Sequence, residues 1–330
     1  MSLIINFNKT LMSEIDISVG IICYNQANFV HKAIQSVLGQ KTKYKLELIV
    51  CDDASTDNSI EVINDTLKNV KSPNKVLQNP QNMGPLATGT LFLKNANGKY
   101  ICWIDADDYW IFDKKIETQV DFLENNKDYS ACFHDSKIIS TITDKELSDK
   151  ALFQKTHGKW KSYSQFNTYN EELFPWELIN RKIIPTASLM VRNGDYLKIL
   201  EKYKNLSLSI SWALQLEFIK NSKFKYFNHA WSVYLDHKDG FSKKFDLVSF
   251  KLNNIKILEI LLDDEYYRHF KKDIFRSISS EYFHLLHSHE AQILSKKEYH
   301  TFLKKYRFWN KKALAMEIES FKDNFKQKKL

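Results

Sequence analysis

Three carboxylates stand within four residues at Asp105-Ala106-Asp107-Asp108, directly after the apolar run Tyr100–Ile104. Like charges this close repel each other, so the cluster is costly unless a cation compensates for it. Hard divalent ions such as Mg²⁺ and Mn²⁺ take oxygen ligands and often combine one or two carboxylates with substrate phosphates. The cluster therefore predicts either such a metal site or a solvated acidic turn that caps the next helix.

A second acidic turn, Asp52-Asp53-Ala54-Ser55-Thr56-Asp57, follows another apolar run at 46–51. A carboxylate in this position can accept a hydrogen bond from a nucleobase N–H or a ribose hydroxyl. Asp57 is placed to cap the helix that follows. Tyr24, which follows the apolar run 15–23, can stack on a base or can be an ordinary tyrosine at the edge of the core.

The sequence has no glycine-rich phosphate cradle. Neither G-x-G-x-x-G after the first predicted strand nor G-x-x-x-x-G-K-[ST] occurs. Dinucleotide oxidoreductases and phosphate-loop NTPases are therefore disfavoured, because those motifs bind their phosphates. A diphosphate bound to this chain needs another source of neutralisation, and a metal ion on Asp107 fits that need.

The elements that must position these residues alternate in type through the first half of the chain. Short apolar runs alternate with segments such as 30–38, whose apolar residues follow the i, i+3, i+4 spacing of an amphipathic helix. This order predicts βαβ units and a parallel sheet, which bind ligands outside the carboxyl ends of the strands. Polar or acidic residues follow each of the first four predicted strands. From residue 246 onward the pattern is helical and lacks Gly and Pro.

Composition limits the remaining choices. Hydrophobic residues make up 43% of the 330 positions, enough for a buried core. The four cysteines form no C-x-x-C pattern, so we expect buried, reduced thiols and no zinc site. Neither a secretory signal nor an apolar run of about 20 residues is visible. We expect a cytoplasmic protein, either free or peripheral at the inner face of the membrane.

The positive charge is uneven along the chain. Of the net +8, residues 244–330 contribute +6, with 18 Lys and Arg against 12 Asp and Glu. A basic tail can bind nucleic acid or an anionic membrane surface, or it can be a solvated helical face. Because no nucleic-acid recognition motif accompanies it, we expect no nucleic-acid partner.

Four motifs, in this order and spacing, resemble the successive motifs of the inverting GT-A-fold glycosyltransferases of family two. They are Ile17-Ser-Val-Gly-Ile-Ile-Cys-Tyr-Asn25, Ile49-Val-Cys-Asp-Asp-Ala-Ser-Thr-Asp57, Asn82-Met-Gly84 and Ile104-Asp-Ala-Asp-Asp-Tyr-Trp110. The resemblance is strong over residues 16–135 and weaker over 183–242.

The resemblance implies an α/β fold of the GT-A type, which is Rossmann-like with a mostly parallel sheet flanked by helices. We expect this domain over 1–242, with a nucleotide-binding half at about 15–135 and an acceptor half at about 136–242. Residues 243–330 form a helical C-terminal extension. The implied enzyme is a hexosyltransferase that moves a sugar from a nucleotide-diphosphate donor to a hydroxyl of a glycan or lipid-linked acceptor. Mn²⁺ or Mg²⁺ assists, and the setting is surface polysaccharide or glycoconjugate synthesis.

The resemblance also implies roles for individual residues of the donor site. Tyr24 and Asp53 hold the nucleobase, and Gly84 lets the backbone approach the nucleotide. Asp105 lies near the ribose. The metal that bridges the donor diphosphate is bound by a second set of residues: Asp107, with Asp108 assisting, and His237, which resembles a late histidine near the diphosphate.

The acceptor half departs from the family pattern at the general base. The family places an acidic residue just before a Trp at the start of a late helix, and here Ser211 precedes Trp212. A serine cannot accept a proton near neutral pH without another group to take it. The candidate replacements are three acidic residues: Glu217, Asp195 and Asp135. The alternative is a catalytically weak or inactive relative that only binds the nucleotide sugar.

Overall fold

One mixed sheet of nine strands organises the part of the chain that the computed structural model describes, namely residues 15–142, 161–165, 169–180, 184–194, 196–206, 208, 211–240 and 246–327. The strand order is β3-β2-β1-β4-β8-β6-β9-β5, and β7 pairs with β9. The strands are β1 (Ile17–Cys23), β2 (Leu46–Asp52), β3 (Asn74–Gln78), β4 (Tyr100–Asp105), β5 (Tyr109–Trp110), β6 (Tyr129–Ser140), β7 (Glu172–Leu173), β8 (Met190–Arg192) and β9 (Lys223–Asp236).

Ten α-helices lie in the described ranges. They are α1 (Val30–Leu38), α2 (Ser59–Leu67), α3 (Pro85–Asn95), α4 (Lys115–Asn125), α5 (Pro175–Asn180), α6 (Tyr196–Lys202), α7 (Ser211–Phe218), α8 (Leu247–Leu262), α9 (Lys271–Leu286) and α10 (Lys296–Gln327). In α1 the apolar residues at helical spacing are the buried ones, as the sequence pattern predicts.

The parallel part of the sheet lies within residues 15–135, the expected nucleotide-binding half. Strands β3, β2, β1 and β4 run parallel in that order. Both faces of β1 and β2 are covered, which explains why their sequences are continuous apolar runs and not alternating ones. The four cysteines of the chain lie in strands of the nine-stranded sheet, and they are buried and unpaired, as expected.

The antiparallel strand β8 joins this half to the acceptor half. It pairs with β4 on one side and β6 on the other, and β6 then pairs in parallel with the long strand β9. Strand β6 extends beyond the apolar run at 129–134 to Ser140 along β9, with irregular register on both sides of Asp135. His134 and Asp135 therefore lie in mid-strand and not at a strand end.

The C-terminal helices share a core with the acceptor half. Residues of α8 and α9, such as Leu258 and Ile278, are buried in the same cluster as Leu178 and Trp212. Tyr267 donates a hydrogen bond to the carbonyl of Leu216 in α7. The predicted change from sheet to helices near residue 242 thus appears in the order of elements, although the apolar packing continues across it. Within the described ranges, no helix is both long and apolar enough to cross a membrane.

A cluster of alternating charges connects the C-terminal helices to helices α6 and α7. Lys202 Nζ lies 2.7 Å from Glu217 and 2.5 Å from Asp264, and Lys220 Nζ lies 2.6 Å and 2.5 Å from the same carboxylates. The Tyr203 hydroxyl donates to Glu217 at 2.6 Å. Burial opposes ionisation of Asp264, but hydrogen bonds from Lys202 and Lys220 outweigh it and lower the pKa of Asp264.

Replacing Asp264 tests this junction. Asp264→Ala should lower the free energy of unfolding by about 1–3 kcal/mol, because it leaves two lysines with one carboxylate between them. Since folding lowers the pKa of Asp264, its contribution is present above the unfolded pKa of about 4 and is lost as pH falls through the folded value. The two proteins should therefore converge below pH 4 in urea denaturation.

The neighbouring Asp263 provides the control. It is exposed, so Asp263→Ala should change stability by no more than about 0.5 kcal/mol. Equal losses from the two substitutions, or a loss at Asp264 that does not shrink as the pH falls below 4, would show that the ion cluster does not hold the helices.

Candidate active site

A cavity of about 460 Å³ opens at the carboxyl ends of β1, β2 and β4. It also touches α3, α6 and the first residue of α7. Six of the residues predicted for the site line it: Tyr24, Asp53, Gly84, Asp105, Asp107 and Ser211. These residues lie far apart in the sequence, and the parallel sheet brings them together because it aligns the carboxyl ends of its strands.

The turns after β1 and β2 are tied to each other. The Asn25 side-chain oxygen accepts a hydrogen bond from the Thr56 backbone N–H at 2.8 Å, and the Asn25 N–H donates to Ser55 Oγ at 2.8 Å. Asn25 has φ 53°, in the left-handed region that Asn tolerates better than most residues. Asp57 accepts from Ser59 N–H at 2.9 Å, but the N-cap position of α2 is Asn58 and not Asp57 as predicted.

Asp53 holds the loop that leads into α3. Its Oδ1 accepts hydrogen bonds from the Asn79 amide at 2.7 Å and from Met83 N–H at 2.9 Å, while Oδ2 accepts from Gly84 N–H at 2.8 Å. A carboxylate has about four acceptor sites, so Oδ2 keeps one for a ligand. The predicted contact with a nucleobase is therefore compatible with a second task that the sequence did not reveal, which is fixing the 82–84 loop.

Gly84 faces the cavity with φ 83°, a conformation that L side chains rarely adopt. A Cβ built on it meets no heavy atom within 4 Å. The residue immediately precedes Pro85 at the first position of α3. The backbone is thus open to a ligand at this point, as the family resemblance implies.

The three carboxylates after β4 have different surroundings. Asp105 is open to the cavity, and Asp108 is buried and accepts a hydrogen bond from Leu235 N–H at 3.1 Å. Desolvation by the surrounding protein and then the charge of Asp107 raise the pKa of Asp105. The same two causes, followed by the charge of Asp105, raise the pKa of Asp108 well above its ordinary value.

Among these three carboxylates, Asp107 is the one that contacts a histidine, His237. Its Oδ2 lies 3.0 Å from His237 Nε2 and 3.4 Å from Gln26 Nε2. His237 comes from the turn after β9 and is 4% exposed, and its Nδ1 has no hydrogen-bond partner within the described ranges. Sequence reasoning missed Gln26, which follows Tyr24 by two residues and is a cavity-lining residue.

The residues present fit a divalent ion that a substrate helps to bind. No Lys or Arg occurs among the described residues that line the cavity, so a diphosphate there would lack a positive charge. Asp107 and His237 could supply two ligands, and the diphosphate oxygens could supply others. Asp108 is buried and its Oδ1 accepts the Leu235 N–H, and its assistance at the metal stays a prediction. No set of three or more His, Cys, Asp or Glu side chains among the described residues is arranged to hold a metal alone.

The candidate bases differ in whether their side chains line the cavity. Ser211 lines the cavity, whereas Glu217 belongs to the ion cluster with Lys202 and Lys220 and is corrected as a candidate. Asp135 is also corrected, because its carboxylate accepts hydrogen bonds from Ser136 N–H and from the Ser164 hydroxyl and N–H, away from the cavity. The last candidate, Asp195, lies outside the described residues.

An apolar wall completes the cavity and was not foreseen as part of the site. It is formed by Phe92, Leu93, Trp103, Leu200 and Leu214. The sequence carried a signal for it only in the apolar residues of β4 and of helices α3, α6 and α7, which also suit an ordinary core. Tyr169 packs on Phe133 and Tyr226.

Residues 18–186 match the sequence pattern of Glycosyl transferase family 2, just over half of the chain. The chain belongs to glycosyl transferase family 2. A protein of Mycobacterium bovis described as uncharacterized is 29% identical over 226 residues, covering 68% of this chain and 59% of the relative. The chain thus spans less than two thirds of the length of this relative.

Two further proteins are similar to this chain, one in sequence and one in structure. An Escherichia coli protein named UDP-Glc:alpha-D-GlcNAc-diphosphoundecaprenol beta-1,3-glucosyltransferase WfaP is 34% identical over 112 residues, 34% of this chain and 42% of that one. Among solved structures, Staphylococcus aureus TarS 1-349 with UDP-GlcNAc has a TM-score of 0.63 at 16% identity, covering 89% of this chain and 80% of TarS 1-349.

A third similarity is to mannosyltransferase PcManGT of Pyrobaculum calidifontis with GDP-Man and Mn²⁺, at a TM-score of 0.51 and 14% identity. It covers 91% of this chain and 86% of that one. At these identities the two structures show the fold alone. With the family match, they confirm the predicted GT-A fold and the expectation of a family-two glycosyltransferase.

Removing the Asp107 carboxylate tests the metal site. Asp107→Ala should abolish Mn²⁺-dependent binding of a nucleoside diphosphate in titration calorimetry, because the ion loses its carboxylate ligand. Asp113→Ala, which removes an exposed carboxylate paired with Lys41, is the matched control and should bind as the wild type does. Unchanged Mn²⁺ dependence in Asp107→Ala would remove the metal role from this residue.

Removing the Asp53 carboxylate tests the nucleotide contact. Asp53→Ala should weaken nucleoside diphosphate binding about tenfold or more, both with Mn²⁺ and with EDTA. Hydrogen bonds to charged groups are worth about 1.5–3 kcal/mol, and both the ligand and the 82–84 loop lose them. A loss below twofold in calorimetry would count against the assignment, and so would an effect seen only in the presence of metal.

Proposed function

We propose that the protein transfers a sugar from a nucleoside-diphosphate sugar to a hydroxyl of a glycan or lipid-linked acceptor, with inversion at the anomeric carbon. The observation that carries this proposal is the composition of the cavity. Asp53, Asp105 and Asp107 line it at strand ends, while its described lining contains no Lys or Arg. Such a site suits a nucleotide whose diphosphate arrives with a divalent cation. The names of WfaP, TarS and PcManGT, which mention UDP-Glc, UDP-GlcNAc and GDP-Man, agree with this class of donor.

Different residues of the chain would bind different parts of the donor. Asp53 would bind the base, with Tyr24 stacking on it, and the open backbone at Gly84 would admit the nucleotide. Asp105 would accept a hydrogen bond from the ribose. Asp107 and His237 would hold Mn²⁺ or Mg²⁺, which when bound would stabilise the charge that develops on the leaving diphosphate.

The transfer step needs an in-line arrangement. The bond between the acceptor oxygen and the anomeric carbon forms as the bond from that carbon to the diphosphate oxygen breaks, and the acceptor hydroxyl loses its proton. The apolar wall, with Trp103 and Leu214, would keep water from competing with the acceptor. The proton must leave near Ser211, where the family has a carboxylate and this chain has a hydroxyl.

The biological setting follows from the same class of reaction. We propose that the product belongs to a surface polysaccharide or glycoconjugate and that the protein works in the cytoplasm at the inner face of the membrane. WfaP is named for a diphosphoundecaprenol acceptor, which supports a lipid-linked acceptor here as well.

A screen of nucleotide sugars by thermal shift, with and without Mn²⁺, tests donor binding. A ligand that binds only the folded protein raises its melting temperature according to occupancy. We expect at least one UDP- or GDP-sugar to raise it, and to do so more strongly with Mn²⁺. No shift from any nucleoside-diphosphate sugar would remove the proposal.

A second function deserves consideration because of Ser211. The carboxylates in the described lining of the cavity, Asp53, Asp105 and Asp107, are all assigned to the donor, and Ser211 occupies the place of the base. A protein of this kind would bind the nucleotide sugar normally and transfer it slowly, or would serve only as a nucleotide-sugar-binding relative. A positioned base is typically worth a factor of about 10²–10⁴ in rate.

Restoring the carboxylate distinguishes the two functions. Ser211→Asp should raise the rate of transfer to a lipid-linked saccharide at least tenfold and leave donor affinity within about twofold, because the donor contacts do not involve Ser211. Ser211→Ala is the control and should transfer like the wild type. The slow-transfer reading fails if the wild type already turns over near the enzyme median of about 10 s⁻¹ and Ser211→Asp lowers that rate.

A further inference from the structure

The last helix, α10, has one face against the protein and one face in solvent. Phe302, Tyr306, Trp309 and Ala313 follow the i, i+4, i+7, i+11 spacing of one helical face, and they pack toward the apolar core or are buried. Trp309 contacts Phe275 of α9 with ring centroids 5.4 Å apart. The orientation of α10 about its own axis is therefore fixed, and so is the set of side chains that it presents to solvent.

The solvent side of α10 is strongly basic. From residue 299 to 316 the sequence has five Lys and Arg and no Asp or Glu. All five are exposed, and within the described ranges none of them has a carboxylate partner within 4 Å. They are Lys304, Lys305, Arg307, Lys311 and Lys312. A solvated helix face normally mixes both signs of charge, and this stretch does not.

Large apolar side chains lie near the basic residues on the exposed side of the helix. Phe308 and Leu314 are each 52% exposed and Ile318 is 48% exposed. Lys312 Nζ lies 4.5 Å from the centre of the Phe308 ring and 5.1 Å from that of Trp309, so the charge of the lysine rests against aromatic faces. Single exposed apolar residues are ordinary, but three of them within one basic helix face form an amphipathic surface of a defined kind.

We propose that this face, made of the five basic residues with Phe308, Leu314 and Ile318 and called here the basic face, binds an anionic lipid bilayer. Helices that lie in the membrane interface combine Lys and Arg for the headgroup phosphates with aromatic and aliphatic side chains that enter the acyl boundary. A nucleic acid would also attract the lysines, but its backbone offers no apolar phase for Leu314 and Ile318. The lipid surface is the partner that uses both components.

The basic face lies on the membrane and does not span it, because no described helix has the apolar length for a crossing. At about 1.5 Å per residue, the stretch 299–318 extends over about 30 Å, enough to rest on several headgroups at once. The surface belongs to the helical extension and involves none of the residues assigned to the donor. The proposal therefore does not rest on the transferase activity.

Vesicle sedimentation tests the proposal with the full-length protein. Partitioning should be strong with vesicles of 70% phosphatidylcholine and 30% phosphatidylglycerol at 0.05 M salt and weak with pure phosphatidylcholine. Lys304→Gln/Lys311→Gln should weaken binding roughly 30-fold, the factor that corresponds to about 1 kcal/mol for each lysine near an anionic surface. Lys71→Gln/Lys94→Gln, which removes two exposed lysines of the sheet domain, should bind as the wild type does.

A second variant examines the apolar component. Phe308→Ser/Leu314→Ser should weaken vesicle binding about tenfold or more, because both side chains lose their contact with the acyl boundary. Both residues are half exposed, so the melting temperature of this double variant should stay near that of the wild type. Asp107→Ala, impaired at the donor site, should bind vesicles normally, which separates this proposal from the proposed function.

Two results would overturn the proposal. Equal partitioning to neutral and anionic vesicles would show that the basic residues do not select the lipid. Unchanged vesicle binding by Phe308→Ser/Leu314→Ser, together with equally tight and competing binding of a nucleic-acid duplex, would show a surface for any polyanion.

Discussion

Repulsion among the three carboxylates at the end of β4 is the constraint on which the rest of the site depends. Asp105, Asp107 and Asp108 cannot all stay ionised at close range without compensation, and the fold treats each of them differently. Asp108 is buried beneath the turn and receives the N–H of Leu235. Asp107 faces His237, and Asp105 opens to the cavity. Only the last two present oxygen atoms to a ligand.

Strand β9 is the element that gives the carboxylates these different surroundings. Its end supplies both the N–H that reaches Asp108 and the turn that carries His237. Its length comes from pairing with β6 from Lys223 to Asp236. A feature of the acceptor half, nearly 130 residues further along the chain, therefore determines how the donor half presents its carboxylates.

The donor half could be predicted from the sequence because its information is local. Tyr24, Asp53 and Asp105 closely follow apolar runs, and a parallel sheet places such positions at one edge. The acceptor half could not be predicted to the same degree. Asp135 looked like a strand-end residue because the apolar pattern weakens after His134, yet long-range pairing with β9 extends the strand. Glu217 is a plain helical glutamate in the sequence, and only the fold brings Lys202, Lys220 and Asp264 around it.

The position of α7 shows why that cluster matters for chemistry. Ser211, at the first residue of α7, faces the cavity, while Glu217 near the last residue is held by two lysines and Tyr203. Trp212 donates its indole N–H to Leu178, and Tyr267 donates to Leu216. The helix is thus held near both ends by contacts with α5, with α6 and with the segment between α8 and α9. A group at position 211 has little freedom to approach or leave the acceptor, so the chemistry there depends on the identity of the residue rather than on its movement.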